Sequence, residues 1–518
     1  MTRTELLLTG ARLADGTGSP LRPADVLVRD DRIAAVEPPG TFPADLPRRD
    51  LTGLVLAPGF IDVHSHADNA PLLPYDDTTK IHQGVTTEVV GNCGFSLAPR
   101  SHQHHDTLAG HLQRLFPSLE ITWTGFHELF AATDAAGYVT NHCPLVGHGT
   151  LRIAATGMTD AAPDDDARRA MRAALEEGMT AGAFGLSSGL IYPPATFATT
   201  DELIDLATVL GGHGRYVTHV RDEGDRLLDS IGEALRIGAV AGQTHVSHLK
   251  VTGTRNWGSL RAALDELDRA RQRGQQVHQD VYPYTASSTT LTAVLPAHHL
   301  TGSTDEVLTR LTDPAVRDEI AAAIADTTRW DRILLAGTAS HRHEGRTLAE
   351  IADDTGSDPV DALIDVLVSE RLRATMIHFS MHEDDLALAL ADPHTTIGSD
   401  GLPPGTGGTP HPRLTGTFPR VLGRWTRDRG VLTLPEAVHR MTGLPAQVFD
   451  VPDRGLIAPG KVADLVAFDP ATVRDRGDYQ DPMQQPEGIT WVCLGGRTVV
   501  DDGRYVGSRS GTRLTPRS

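Results

Sequence analysis

Apolar positions fall in short runs at both ends of the chain, whereas the middle alternates such runs with longer amphipathic stretches. Near the start, Leu6-Leu7-Leu8, Val26-Leu27-Val28 and Ile33 to Val36 read as strands, the last two joined at Asp30-Asp31 into a hairpin. Near the end, Asp464 to Phe468, Trp491 to Leu494, Thr498 to Val500 and Tyr505-Val506 repeat the pattern, punctuated by Gly495-Gly496 and Asp502-Gly503. Both termini therefore read as all-β, and the simplest arrangement is one small discontinuous β domain, residues 1–56 with 446–518, flanking a central domain at 57–445.

In that central domain, strand-like runs at Phe60 to Val63, Thr86 to Val90, Pro144 to Val146, Ala183 to Leu186, Tyr216 to Val220, His245 to His248, Val277 to Tyr284 and Thr396 to Asp400 alternate with helical segments. The clearest helix covers 164–177, with acidic residues at its start and Gly178 as its expected stop; 202–210, 226–240 and 259–273 read similarly. Eight strand-loop units predict an α/β fold, a (β/α)8 TIM-type barrel with a small β-sandwich domain formed from both chain termini. Residues 290–392 exceed one crossover and read as an insertion over the barrel mouth, within which Ile333 to Leu335 and Met376 to Phe379 compete as strands.

Composition narrows the function. The 518 residues suffice for a large catalytic domain plus a smaller one, and a net charge of −20 argues against nucleic acid or an anionic membrane as partner. No apolar run approaches the roughly 20 residues of a membrane span, and Met1-Thr2-Arg3-Thr4 with Glu5 to Leu8 lacks a signal-peptide core, so a cytoplasmic location is expected. Three cysteines, Cys93, Cys143 and Cys493, are too few and scattered for a disulfide framework, which leaves any of them free as a thiolate ligand.

The candidate chemistry starts at Ala57-Pro58-Gly59-Phe60-Ile61-Asp62-Val63-His64-Ser65-His66. Alternate residues of an extended strand share a face, so His64 and His66 present paired imidazoles, half of a metal site. Cys93 falls at the end of the second predicted strand, His219 the fifth, His248 the sixth and Asp400 the eighth, where a barrel places its chemistry. Each has a plainer explanation alone: solvated loop histidines, a packed cysteine, an interior histidine, a turn aspartate. Their recurrence at successive strand ends favours a shared site. Thiolate and imidazoles suit zinc, whose open position holds a water that becomes the nucleophile. Asp400 is then the expected general base. Lys250, two residues beyond His248 and so on its strand face, is placed to take a substrate carboxylate.

The order His64-x-His66, Gly91-Asn92-Cys93-Gly94, Thr218-His219-Val220-Arg221, Ser247-His248-Leu249-Lys250, Asp280-Val281-Tyr282-Pro283-Tyr284 and Gly398-Ser399-Asp400-Gly401 resembles the D-aminoacylases, N-acyl-D-amino-acid deacylases of the amidohydrolase superfamily. The resemblance spans nearly the whole chain. It implies a tightly held zinc on Cys93, His219 and His248, and a weaker second metal near His64, His66 and Asp400. It also adds Tyr282 and Arg413 to Lys250 as a carboxylate clamp. The lysine that bridges two metals in dihydroorotases and hydantoinases has no counterpart in Phe184-Gly185-Leu186-Ser187-Ser188.

The expected activity is hydrolysis of small N-acyl-D-amino acids to a carboxylate and a D-amino acid, with handedness resting on the resemblance alone. Alternatives keep the site but change the substrate to a cyclic amide, an N-acyl-D-glutamate or D-aspartate, or a dipeptide with a D residue. A non-catalytic scaffold is the reading from another class, and nothing in the sequence fixes oligomeric state. Tyr192 is a weaker candidate for the substrate side-chain pocket. The run His102-Gln103-His104-His105 with His111 reads as irregular surface, and His245 has the wrong parity to share the face of His248.

Overall fold

The computed structural model describes residues 5–116, 119–325, 328–402 and 408–517. Met1–Thr4 and the centre of the Gly/Pro-rich loop, residues 403–407, lie outside the described residues. The chain ends build two sheets. Glu5–Thr9 pairs antiparallel with Asp25–Arg29, with Leu6 opposite Val28 and Leu8 opposite Val26, and Arg32–Glu37 and Arg48–Asp50 complete a four-stranded sheet. The second sheet is seven-stranded and mixes both termini: Leu465–Phe468 lies between Val55–Pro58 from the first and Ile489–Leu494 from the last. Leu8, Val26, Val28, Leu465, Ala467 and Trp491 share one core, so the termini hold each other by burying the face that either sheet alone would leave wet.

Between them run parallel strands at Phe60–Asp62, Val85–Val90, Asn141–Pro144 continuing as Val146–Gly147, Leu186–Gly189, Gly214–His219, Gly242–Val246, Gln276–Val281 and Thr395–Ile397. Beyond the first and last of these, Val63 N–H donates to Ile397 O at 3.4 Å and Asp400 N–H to His64 O at 2.7 Å. Val85–Val90 is buried throughout, as expected of parallel strands covered on both faces. The helix Asp165–Thr180 starts where Asp164 accepts the Ala167 N–H at 2.8 Å, but runs through Gly178. A Cβ there would lie 2.5 Å from Val146 Cγ2, so this glycine serves close helix-to-strand packing and not termination.

The inserted segment resolves the competing strands. Ile333–Thr338 and Ala374–His378 pair antiparallel with each other, and Ser287–Thr290 joins on the other edge of Ala374–His378, outside the parallel set. Leu291, Leu311, Ile320, Leu335, Leu363 and Leu367 give this segment its own core. The helix Glu383–Ala391, at the end of the expected insertion, packs instead on Leu260–Gln272 beside the parallel strands. Among the described residues no helix is long and apolar enough to cross a membrane.

The histidine-rich stretch corrects the sequence reading. His105–Leu112 is a helix, and His111 is buried with its ring stacked on Phe95, centroids 5.2 Å apart. The spacing His111, Leu108, Leu112 was an amphipathic face hidden among polar neighbours. Burial, with Arg114 adding repulsion, pushes the His111 imidazole down to about 3. The unfolded chain therefore binds a proton below pH 6.5 that the folded chain refuses, so stability is complete above pH 6.5 and falls as pH drops toward 3. At pH 5 the loss from this group is about 2 kcal/mol. Denaturant unfolding of His111→Phe is expected to lose less stability than wild type between pH 7.5 and 5; equal losses would place the acid sensitivity elsewhere.

Candidate metal centre

The site is set on a buried ion network. Lys80 Nζ lies 2.8 Å from Asp62 Oδ2, 3.2 Å from Glu88 Oε2, 3.0 Å from Ser65 Oγ and 2.8 Å from Ser399 Oγ. Asp62 Oδ1 also accepts the backbone N–H of His64 at 3.2 Å and of Ser399 at 2.8 Å. One ammonium and one carboxylate thus hold the segment His64-Ser65-His66 against the segment that ends in Asp400. His64 and His66 lie just beyond the strand Phe60–Asp62, and both rings turn toward Asp400: Oδ1 is 3.6 Å from His64 Nε2 and 3.3 Å from His66 Nε2.

Cys93 is brought in by the turn that follows Val85–Val90. Gly91 has φ +81°, and a Cβ on it would sit 2.4 Å from Leu145 O, so only glycine allows the turn to press against the neighbouring strand. Cys93 itself has φ 53°, His248 34° and Asp400 50°. Left-handed backbone costs a non-glycine residue on the order of 1–3 kcal/mol and persists only where the surroundings impose it. Three candidate ligands carry it.

These turns converge the sequence-predicted ligands. Cys93 Sγ is 3.2 Å from His64 Nε2, 3.7 Å from His219 Nδ1 and 3.6 Å from His248 Nε2. A tetrahedral zinc with ordinary Zn–S and Zn–N bonds sets sulfur-to-nitrogen separations of about 3.6 Å. The donor set and its spacing therefore fit such an ion. Two candidate ligand groups share the sulfur: Cys93 with His219 and His248, and Cys93 with His64, His66 and Asp400. Burial opposes ionisation of the Cys93 thiol, but His64, with His219 and His248 also beside the sulfur, holds it well below the usual range. Cys143 and Cys493 are buried without such neighbours; burial pushes the Cys143 thiol up to about 12 and that of Cys493 higher still, so neither offers a thiolate.

Two carboxylates that sequence reasoning did not assign orient these rings. Glu223 Oε1 lies 3.3 Å from His219 Nε2 and 3.3 Å from His248 Nδ1, the nitrogens facing away from the sulfur. Asp280 Oδ2 is 2.8 Å from His245 Nε2 and 3.5 Å from His64 Nδ1, while Oδ1 accepts the His248 N–H at 2.9 Å. A ligand histidine commonly passes its second N–H to such a group, which fixes its tautomer. Glu223, four residues after His219, lies in the polar run Arg221-Asp222-Glu223 and has no periodic signal. Asp280 stands in the motif with Tyr282 but looked like a strand residue.

The cationic candidates form a corner of the same site. Arg413, 1% exposed, pairs with Asp400 Oδ2 at 2.9 Å, and its guanidinium lies 4.5 Å from the centroid of the Tyr282 ring, with Lys250 Nζ at 5.7 Å. Lys250 does not arrive by strand parity, since Gly242–Val246 has ended and His248 is left-handed. It is held by Glu223 Oε1 at 2.5 Å and donates to the backbone oxygen of His248 at 3.2 Å. Although burial favours protonation of Asp400, Arg413 and the imidazole of His64 keep its carboxyl well below the usual range. A cleft of about 580 Å³ opens over the site, reached by His219, Lys250, Asp400 and Tyr192 on one side and by Arg332, Met376 and His378 from the inserted segment on the other. Tyr192 is anchored there by a 2.9 Å hydrogen bond to Thr289 Oγ1.

Comparison with known proteins places this geometry. The chain is 39% identical over 519 residues to a D-aminoacylase of Alcaligenes xylosoxydans xylosoxydans, covering 98% of this chain and 97% of that one. It is 38% identical over 517 residues to an N-acyl-D-aspartate deacylase of the same organism, covering 99% and 95%. It superimposes with a TM-score of 0.83 and 37% identity on an N-acyl-D-glutamate deacylase from Bordetella bronchiseptica, solved with zinc and a phosphonate inhibitor that mimics the tetrahedral intermediate, covering 98% and 99% of the two chains. A model described as the amidohydrolase family matches residues 49–500, and the chain belongs to that family, with its α/β barrel and accompanying β-sandwich.

Proposed function

We propose that this protein is a zinc-dependent hydrolase that cleaves N-acyl-D-amino acids to a carboxylate and a free D-amino acid. The observation that carries the reading is the approach of His219 Nδ1 and His248 Nε2 to the Cys93 sulfur, at 3.7 and 3.6 Å. The D configuration rests on the activities named for the three relatives. In this reading Cys93, His219 and His248 hold one zinc tightly, and His64, His66 and Asp400 share Cys93 in a weaker second position. Bound zinc supplies Lewis-acid chemistry, polarising an amide carbonyl and acidifying water.

The chain's own groups do the rest. Asp400 presents Oδ1 to the imidazole cluster and Oδ2 to Arg413, so Oδ1 is the oxygen that takes the proton of the attacking water and returns it to the departing amine. Lys250, Tyr282 and Arg413 receive the α-carboxylate of the substrate. A carboxylate that draws the Arg413 guanidinium toward itself loosens its hold on Asp400, which raises the basicity of that group when substrate arrives. Glu223 and Asp280 keep the ligand rings in one tautomer and orientation. The two-ended β unit, residues 1–56 with 446–518, serves this reading as support for the barrel at 57–445.

One observation favours acidic substrate side chains as a second level of the reading. Arg332 enters the cleft from the inserted segment, 5.7 Å from the Trp257 ring centroid, donating to Phe379 O at 3.3 Å and with no ion pair to a carboxylate among the described residues. A terminal carboxylate on the substrate would find there a charge partner that an aliphatic side chain does not use.

Assay of N-acetyl-D- and N-acetyl-L-amino acids is expected to show turnover of the D series; turnover of L substrates alone overturns the assignment. Asp400→Asn is expected to keep zinc on Cys93, His219 and His248, measured by metal analysis, while kcat falls about 10²–10⁴-fold. A near-normal rate would give the proton to another group. Glu223→Gln should lower zinc affinity or kcat/KM by about 10–100-fold, read by chelator competition and steady-state kinetics. Arg332→Ala should reduce kcat/KM for N-acetyl-D-glutamate about tenfold more than for N-acetyl-D-methionine, the worth of one hydrogen bond to a charged group. Equal effects on both substrates would remove Arg332 from selectivity.

A further inference from the structure

Away from the cleft, the inserted segment gathers another set of ligand-type side chains. The short turn Ala297–Leu300 sets His298 and His299 side by side, ring centroids 4.0 Å apart, against Glu319 on the helix Pro314–Ile324. His298 Nε2 lies 3.0 Å from Glu319 Oε1 and His299 Nε2 3.6 Å from the same oxygen. One donor atom from each residue falls within 4.8 Å of the others.

His299 supplies the independent observation. It is 3% exposed, and its Nε2 has no hydrogen-bond partner. A buried polar atom left unpaired costs about 1–3 kcal/mol, so a nitrogen aimed at a carboxylate beyond hydrogen-bond reach invites something between them. Donor separations around a tetrahedral zinc with nitrogen and oxygen ligands are about 3.3 Å, between the two distances found here. Arg310, the other charge at this turn, is turned to the backbone, donating to His299 O at 2.6 Å and to Thr301 O at 3.0 Å.

We propose that His298, His299 and Glu319 form a structural site for a divalent cation of the zinc class, separate from the catalytic centre. Two imidazoles and one carboxylate match that class, and the same set would take copper(II) more tightly. The cation would staple the turn Ala297–Leu300 to the helix Pro314–Ile324. That turn lies at a junction: the preceding residues Ser287, Thr289 and Ala293 line the cleft, and just after it Gly302 N–H donates to Met158 O at 2.7 Å on the central domain. Stapling the turn therefore fixes one wall of the substrate cleft without touching the reacting groups.

The test counts metal on the full-length protein. Wild type, His298→Ala and Glu319→Gln are dialysed against the same micromolar free zinc and analysed by mass spectrometry for zinc per chain. Both substituted side chains are more than half exposed, so the core is left alone. Each variant is expected to carry one zinc fewer than wild type with an unchanged circular dichroism spectrum. Copper(II) added to wild type should show hyperfine coupling to imidazole nitrogen by electron paramagnetic resonance, weakened in His298→Ala. Equal zinc counts in all three proteins would overturn the proposal and leave an ordinary histidine–carboxylate hydrogen bond. Since the catalytic ligands are intact in both variants, this result is independent of whether the protein hydrolyses N-acyl-D-amino acids.

Discussion

The arrangement depends on one buried ammonium. Lys80 sits between Asp62 and Glu88 with Ser65 and Ser399 completing its hydrogen bonds, so the first, second and last parallel strands meet on a single charge. Taking charges out of water is costly, and removing one member of such a network strands the others, at about 3–5 kcal/mol. The network is fully satisfied, which makes it a register device: His64 and His66 cannot shift relative to Asp400 without leaving charge unpaired. A hydrophobic replacement of similar volume could fill the space but would not fix the alignment.

Against that rigid base three of the candidate ligand residues are strained. Cys93, His248 and Asp400 adopt left-handed backbone that their side chains disfavour, while the strands leading to them are regular and end buried. Departures from local preference cluster where function needs them, and the surrounding order supports them. Glu223 and Asp280 complete the logic: one carboxylate faces His219 and His248, and the other spans His64 and the backbone N–H of that same His248.

Much of this was legible in the sequence because it is written in periodicity and spacing. Alternating strands and helices reveal the parallel unit, and ligand-type residues at strand ends reveal the site. What stayed hidden depends on distant contacts. Lys80 and Glu88 look like ordinary surface residues until the fold brings them together. Glu223 lies in a charged run that resembles a solvated loop, yet its carboxylate is drawn in by Lys250 and two imidazoles. Lys250 was expected to reach the site through strand alternation and reaches it through a broken one. His111 was masked by polar neighbours whose helical face could be seen only once the helix had formed, and Gly178 signalled a stop where the helix needed a gap for Val146.

The shared sulfur carries a last consequence. Because Cys93 belongs to both candidate ligand groups, the two positions proposed on them would have no independent fate: alkylation or over-oxidation of that one atom would strip both together. On the proposed ligation an ion bound there would shield the same atom, so that inactivation by thiol reagents would become a clock for how long the metal stays away.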